Sequence, residues 1–442
     1  MITFNENKQI RTIWQRSLLL ALTLASWSLV SAAEVDSATL QSLQNQIKTL
    51  TEEVEKLKEG PPRNEAGEDL LGRSFFKAKG LSLGFYGEVK YRFPKNGANT
   101  FDPHRFVLLP SYQINDWLVF NSELELEHGG LDEQSSPARS RFDGELELEQ
   151  FYVDILLHEH FNIRSLGIDV VPMGRINKYH EPTLFYSTER PELYREIIPS
   201  TWSEPSLGFF GKITETLDYQ LMLSTGMEDS ISGSPAPGIN SRNGLRDARP
   251  RMRNADENNL AYSGRLHYNG FKGLDTSASF YATTLRGATG KSTMAGGDVE
   301  ALYRPPGTGL ELRGDLAYWR LSDPQVLVAN NDDLVSGGQN NVGDTLYGWY
   351  AEAAYHFWPE AWKAGKGKEM DLVPFLRYSA IVTQSGLANG IAAQQDGTAN
   401  KDYLTAGISY FLNANFVVKA DWRRNLKRKS DEYFQLGAGM FF

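Results

Sequence analysis

The chain has 442 residues and contains 40 glycines, 20 tyrosines, 23 phenylalanines and no cysteine, which excludes disulfides, thiolate catalysis and cysteine-ligated metals. A formal net charge of −10 argues against a general nucleic-acid binder. Past residue 33 no run approaches the roughly 20 apolar residues of a membrane helix, but barrel strands, whose signal is weaker per segment, stay open.

Lys8, Arg11 and Arg16 precede the apolar run SLLLALTLASWSLV, which ends in Ser31-Ala32-Ala33. A basic flank, an apolar core and small residues before a break describe a secretory signal peptide over residues 1–33, so export through the Sec pathway is expected. Over residues 34–60, Leu40, Leu43, Ile47, Leu50, Val54 and Leu57 recur at alternating steps of three and four, the seam of a short periplasmic coiled-coil helix. So narrow an apolar stripe needs copies of itself or a barrel surface to cover it, and self-association is the reading adopted. GPPRNEAGED then breaks the helix, making 61–74 a linker to a domain over 75–442.

From Leu81 the period changes to two. In LSLGFYGEVKYRF, Leu81, Leu83, Phe85, Val89, Tyr91 and Phe93 share one face, and Ser82, Glu88, Lys90 and Arg92 the other. WLVFNSELELE and FVVKADWRR repeat the pattern with Glu123, Glu125 and Glu127, and with Lys419, Asp421 and Arg423, on the polar face. Charges on one face of these strands fit a wall between lipid and water. About sixteen such segments predict an all-β fold, a 16-stranded antiparallel transmembrane β-barrel of the outer membrane. In 145–157 the apolar parity slips, which predicts a β-bulge near Gln150.

The links alternate in length, as barrels require. The inner ones are short, apart from PEAWKAGKGKEM, whereas outer links span about 94–103, 129–144, 174–205, 227–258, 286–296, 322–344 and 384–401, with one short exception near 428–430. The third, over 174–205, carries four prolines and many apolar residues, a composition that folds onto something. It offers Arg175, Lys178, His180, Arg190 and Arg195 as cations against Glu181, Glu189, Glu192 and Glu196. The fourth adds Arg242, Arg246, Arg249, Arg251 and Arg253. Arginine and lysine rings in a narrow pore focus field on anions. The same arginines could instead pair with loop acids or with lipopolysaccharide phosphates. Lys90, Arg92, Arg105, Arg265, Arg377, Lys419 and Arg423 are expected to face the lumen, as are Glu123, Glu125, Glu127, Glu145, Glu147 and Glu149, which would oppose an anion path or hold folded loops to the wall.

YHEPTLFYSTERPELYREIIPSTWSEPSLGFFG, with NGLRDARPRMRN in the fourth loop, resembles the phosphate-selective porin O/P family. The resemblance implies a homotrimeric channel that takes up small anionic solutes passively. A helix ahead of a barrel is also similar to dicarboxylate channels and to a siderophore-uptake barrel that works without TonB. Gln435-x-Gly437-x-x-Met440-x-Phe442 resembles the C-terminal signal read by the barrel-assembly machinery. A structural barrel tethering the envelope through its coiled coil is the alternative class. No cofactor, metal or catalytic residue is expected; His158-Glu159-His160 reads as a solvated turn.

Overall fold

The computed structural model describes residues 76–78, 80–129, 144–227, 238–249, 259–287, 290–328, 342–386, 399–428 and 430–442. The expected signal peptide, the linker and the coiled-coil seam of Leu40, Leu43, Ile47, Leu50, Val54 and Leu57 lie outside the described residues, as do Arg251 and Arg253.

Seventeen strands form one antiparallel sheet, of which Phe76–Ala78 is a three-residue segment laid on the first barrel strand. The other sixteen are β1 (Leu81–Pro94), β2 (Thr100–Asn115), β3 (Leu118–Glu127), β4 (Leu146–His158), β5 (Phe161–Val170), β6 (Ser203–Thr214), β7 (Leu217–Thr225) and β8 (Leu260–Tyr268), followed by β9 (Leu274–Gly287), β10 (Gly290–Tyr303), β11 (Leu310–Leu321), β12 (Thr345–Tyr355), β13 (Asp371–Ser385), β14 (Asn400–Asn413), β15 (Phe416–Asn425) and β16 (Glu432–Phe441). Each pairs with its successor. β16 pairs with β1 from Tyr433↔Pro94 to Phe441↔Tyr86, so the sheet closes into the expected 16-stranded barrel.

Period-two alternation builds this wall. In β12, Leu346, Tyr350, Glu352 and Ala354 are buried within, while Tyr347, Trp349 and Tyr355 stand on the outside. Across the barrel, exposed Leu, Phe, Tyr and Trp side chains cover the outer face and buried Glu, Asp, Arg and Lys the inner one, the inverse of a soluble domain. The bulge expected near Gln150 is present: Glu123 faces Gln150 but Leu124 faces Leu148, leaving Glu149 as the extra residue. A second bulge, in β2, sets Pro103 and His104 against Val89, because Glu88 pairs with Arg105 and Lys90 with Asp102.

One expected loop is corrected. Residues 286–296 are not a long link, since β9 and β10 stay paired out to Gly287↔Gly290. GKSTMAGG shows no strong alternation, yet its backbone completes the ladder while Ser292 and Met294 point inward and are buried.

Candidate functional site

The link from β5 to β6 enters the lumen and crosses it. Its neck is closed by backbone and amide bonds: Val171 N–H donates to Trp202 O (2.8 Å), Trp202 N–H to Asn177 Oδ1 (3.0 Å) and Asn177 Nδ2 to Val171 O (3.0 Å). Gly174 turns the chain at φ +64°, and the Tyr194 ring lies 2.4 Å from where a Cβ would sit. Any other residue there would be strained and would displace the ring. Two single helical turns, Arg175–Lys178 and Leu193–Glu196, stiffen the loop.

Polar contacts seat this loop on strands around the whole wall. Tyr86 of β1 bridges His180 Nε2 (2.8 Å) and Glu123 Oε1 (2.7 Å). Ser187 Oγ accepts from Arg377 (2.5 Å), its carbonyl accepts from Lys419 Nζ (2.9 Å), and the Thr188 amide donates to Asp421 (2.6 Å). The loop acids meet the wall cations. Glu189 takes Lys90 (3.2 Å) and Arg92 (2.6 Å), Glu192 takes Arg423 (2.9 Å) and Arg377 (3.7 Å), and Glu196 takes Lys401. Burial would raise the Glu189 carboxyl, but Lys90 and Arg92 overrule it and hold it well below the usual carboxylate range. The basic ladder expected to extend an anion path is therefore largely occupied in holding the loop.

Small residues on the last strand make room for the crossing. A Cβ on Gly437 would lie 2.5 Å from Thr188 Cγ2, and one on Gly439 2.5 Å from Pro182 Cβ. Gln435 Nε2 donates to Glu189 Oε1 (3.3 Å). Phe442 exchanges two backbone bonds of 2.8 Å with Phe85 and stacks on its ring, and Met440 faces Gly87 at the β16–β1 join. The four residues singled out at the C-terminus thus serve barrel closure and loop seating.

Part of the lumen beside β7–β13 is apolar. Phe185, Leu193, Ile197, Ile198 and Trp202 of the loop pack with Met222, Tyr281, Trp319, Leu346 and Ile381 of the wall, joined by Leu245 and Leu327 from two other links. Each such fully buried side chain contributes about 1.5–3 kcal/mol. Part of the fourth long link, 238–249, caps this cluster. Leu245 N–H donates to Glu196 O (2.9 Å), Thr383 Oγ1 to Ser241 O, and Lys401 Nζ to Arg242 O (2.7 Å).

The candidate cations fall into separate groups. Arg175 pairs with Asp275 (3.1 Å) and Lys178 donates to Gln220 (2.9 Å). His180 is buried in the wall contact described above. Arg190 is half-buried, and its guanidinium is shifted down by burial and by the neighbouring Arg105. Arg195, Arg242 and Arg246 are exposed at the long-loop end. Arg249 is a clamp: its Nη1 donates to the carbonyls of Ser200 (2.5 Å) and Thr201 (3.0 Å), holding Thr201 at φ +51°.

At the short-turn end a cavity of about 560 Å³ opens between the loop and the wall, lined by Arg175, Leu184, Tyr186, Arg304, Arg313, His356 and Asp371 among others. Tyr186 Oη meets His356 Nε2 (3.0 Å), and His356 Nδ1 meets Asp371 (2.5 Å). Asp371, then Glu311, raise the imidazole from its ordinary 6.5 to about 9. Sequence reasoning missed Tyr186, Arg304, Arg313 and His356, which come together because β10, β11 and β12 are neighbours in the sheet and the crossing loop brings Tyr186 to them.

Among the described residues, three groups of side chains bring ligand atoms within 4.8 Å of one another: Asp102/His104/His128, Glu123/Glu149/His180 and Asp298/Glu300/Asp315. In the first, Asp102 bonds both imidazoles (3.1 and 2.9 Å), and in the second Tyr86 bridges the partners.

No family model matches the chain. An uncharacterised protein of Aquifex aeolicus (strain VF5) is 28% identical over 370 residues, 80% of this chain and 78% of that protein. Among solved structures, OmpF of Salmonella typhi in complex with daunomycin is similar at a TM-score of 0.52 and 13% identity, covering 83% of this chain and 99% of that one. The outer membrane channel DcaP of Acinetobacter baumannii gives 0.52 at 12% identity, covering 84% and 100%. A loop L8 deletion mutant of OmpT, an outer membrane protein of Vibrio cholerae, gives 0.50 at 10%, covering 82% and 99%. The barrel has the porin fold.

Proposed function

We propose that the chain is an outer-membrane porin of a Gram-negative bacterium, a passive channel for small solutes with a preference for phosphate- or carboxylate-type anions. The observation that carries this reading is the link between β5 and β6, which is seated across the lumen of a closed sixteen-stranded barrel and narrows it. Short turns lie on the periplasmic side of such barrels, so the cavity beside His356 is an inner vestibule. In that vestibule Arg175, Arg304, Arg313 and His356 are paired with Asp275, Glu311, Glu352 and Asp371, so the anion bias of this reading comes from the outer rim of Arg195, Arg242 and Arg246. DcaP, of similar fold, is an outer membrane channel. Because loop acids cancel much of the wall's basic ladder, the throat carries mixed charge, which favours weak anion preference over strict phosphate selectivity.

Planar-bilayer recording of purified, folded protein tests the proposal. Discrete conductance steps with a reversal potential on the anion side of a salt gradient are expected. Absence of conductance would overturn the channel and favour the envelope tether, whereas a cation-side reversal would overturn the anion preference alone. Homotrimer formation through the 34–60 helix belongs to the same proposal. Deleting that segment is expected to weaken oligomers in native mass measurement without closing the pore.

A further inference from the structure

We propose that Asp298 and Glu300 of β10 and Asp315 of β11 form a binding site for one hard divalent cation, of the calcium class, between the wall and the lumen-crossing loop. The three carboxylates lie within 4.8 Å of one another deep in the lumen face, and Asp298 and Asp315 are each 3% exposed. Arg265 pairs with Glu300, while Arg175 directs its guanidinium to Asp275 and gives the cluster its backbone N–H, 2.6 Å from Glu300 Oε2.

The independent sign is two orphaned oxygens. Asp298 Oδ2 and Asp315 Oδ1 are buried without a hydrogen-bond partner. A buried carboxylate oxygen left bare costs about 1–3 kcal/mol or more, and two in one cluster call for a ligand. The spacing suits it. Oxygens about 2.3–2.6 Å from a calcium ion lie up to about 5 Å apart when opposite each other. The donors are all oxygen, with neither imidazole nor sulfur, which favours Ca²⁺ or Mn²⁺ over zinc or copper. Tyr194 Oη, from the loop, stands 2.5 Å from Asp315 Oδ2 and 3.1 Å from Glu300 Oε2. Beside Glu300 a cavity of about 20 Å³, lined also by Arg175, Asp275 and Tyr350, has room for one water. An ion here ties the wall to the loop through Tyr194 and the turn at Arg175.

The test uses full-length mature protein refolded from inclusion bodies into detergent, free of lipopolysaccharide, stripped with EDTA and titrated with Ca²⁺ or Mn²⁺. One saturable site per chain is expected, with an anomalous peak for Mn²⁺ among the three carboxylates in crystals. D315N is expected to weaken binding at least tenfold. Absence of saturable binding, a peak only elsewhere, such as at Asp102/His104/His128, or unchanged affinity in folded D315N would each overturn the site. Should D315N not fold, the wild-type anomalous peak decides alone.

Discussion

Glu192→Gln removes one negative charge from the middle of the lumen-crossing loop while keeping its shape. Its carboxylate lies 2.9 Å from Arg423 Nε and 3.7 Å from Arg377 Nε, and accepts from Ser379 Oγ at 2.7 Å. Glu192 is 6% exposed and Arg377 1%, so water cannot replace the lost partner. Breaking a buried pair by removing one member costs about 3–5 kcal/mol. Here Arg377 keeps Glu352 at 3.2 Å and Arg423 keeps Asp431 at 3.8 Å. Glutamine also keeps a bond to Ser379, so the expected loss is smaller, about 2–3 kcal/mol. Urea unfolding in detergent reads it, and a double-mutant cycle with Arg423→Gln isolates a coupling of about 1–3 kcal/mol. In bilayers the released guanidinium charge should move the reversal potential further toward anions. A stability change within about 0.5 kcal/mol together with an unmoved reversal potential would refute the seating of this loop on β13 and β15.

Gly437→Val should unseat the crossing near Thr188, since its first added carbon already meets Thr188 Cγ2 at 2.5 Å; the readout is larger, noisier single-channel conductance and new protease cleavage within 179–192. The imidazolium of His356 contributes fully below about pH 6.5, and its contribution fades as pH rises through about 9, because folding raises its affinity for the proton. Channel noise should therefore grow between these values, and His356→Gln should flatten that dependence. Replacing Arg195, Arg242 and Arg246 together by glutamine should lower anion preference, most visibly at low salt where screening is weak, and leave stability unchanged because all three are exposed.

The barrel was legible because membrane walls impose two-faced strands, and β1, β3 and β15 carry charges on one parity and apolar groups on the other. The outer end of the β9–β10 hairpin was not, since GKSTMAGG pairs through its backbone and lacks that contrast. The loop that crosses the lumen was flagged by its prolines and apolar residues. Its role for the wall cations was hidden: Glu189 and Lys90 stand 99 residues apart in the chain, and Glu196 and Lys401 205 apart. Nor did parity reveal the apolar part of the lumen. Tyr281 and Leu285 share a face with Ser277 and Ser279, and a signal lay there in the inner-face change from polar to apolar along β9. Arg249 reads as a pore charge in sequence but is drawn into a backbone clamp by Thr201.

The seam between the first and last strands is where a barrel would unzip sideways. The crossing segment grips both sides of it from within, through Lys90 and Arg92 on β1 and through Gln435 and the Gly437 notch on β16. It acts as an internal bolt. Its hold on both sides is complete only where the two ends of the sheet have met. Once home, it makes lateral escape of the terminal strand require breaking charge pairs as well as a ladder.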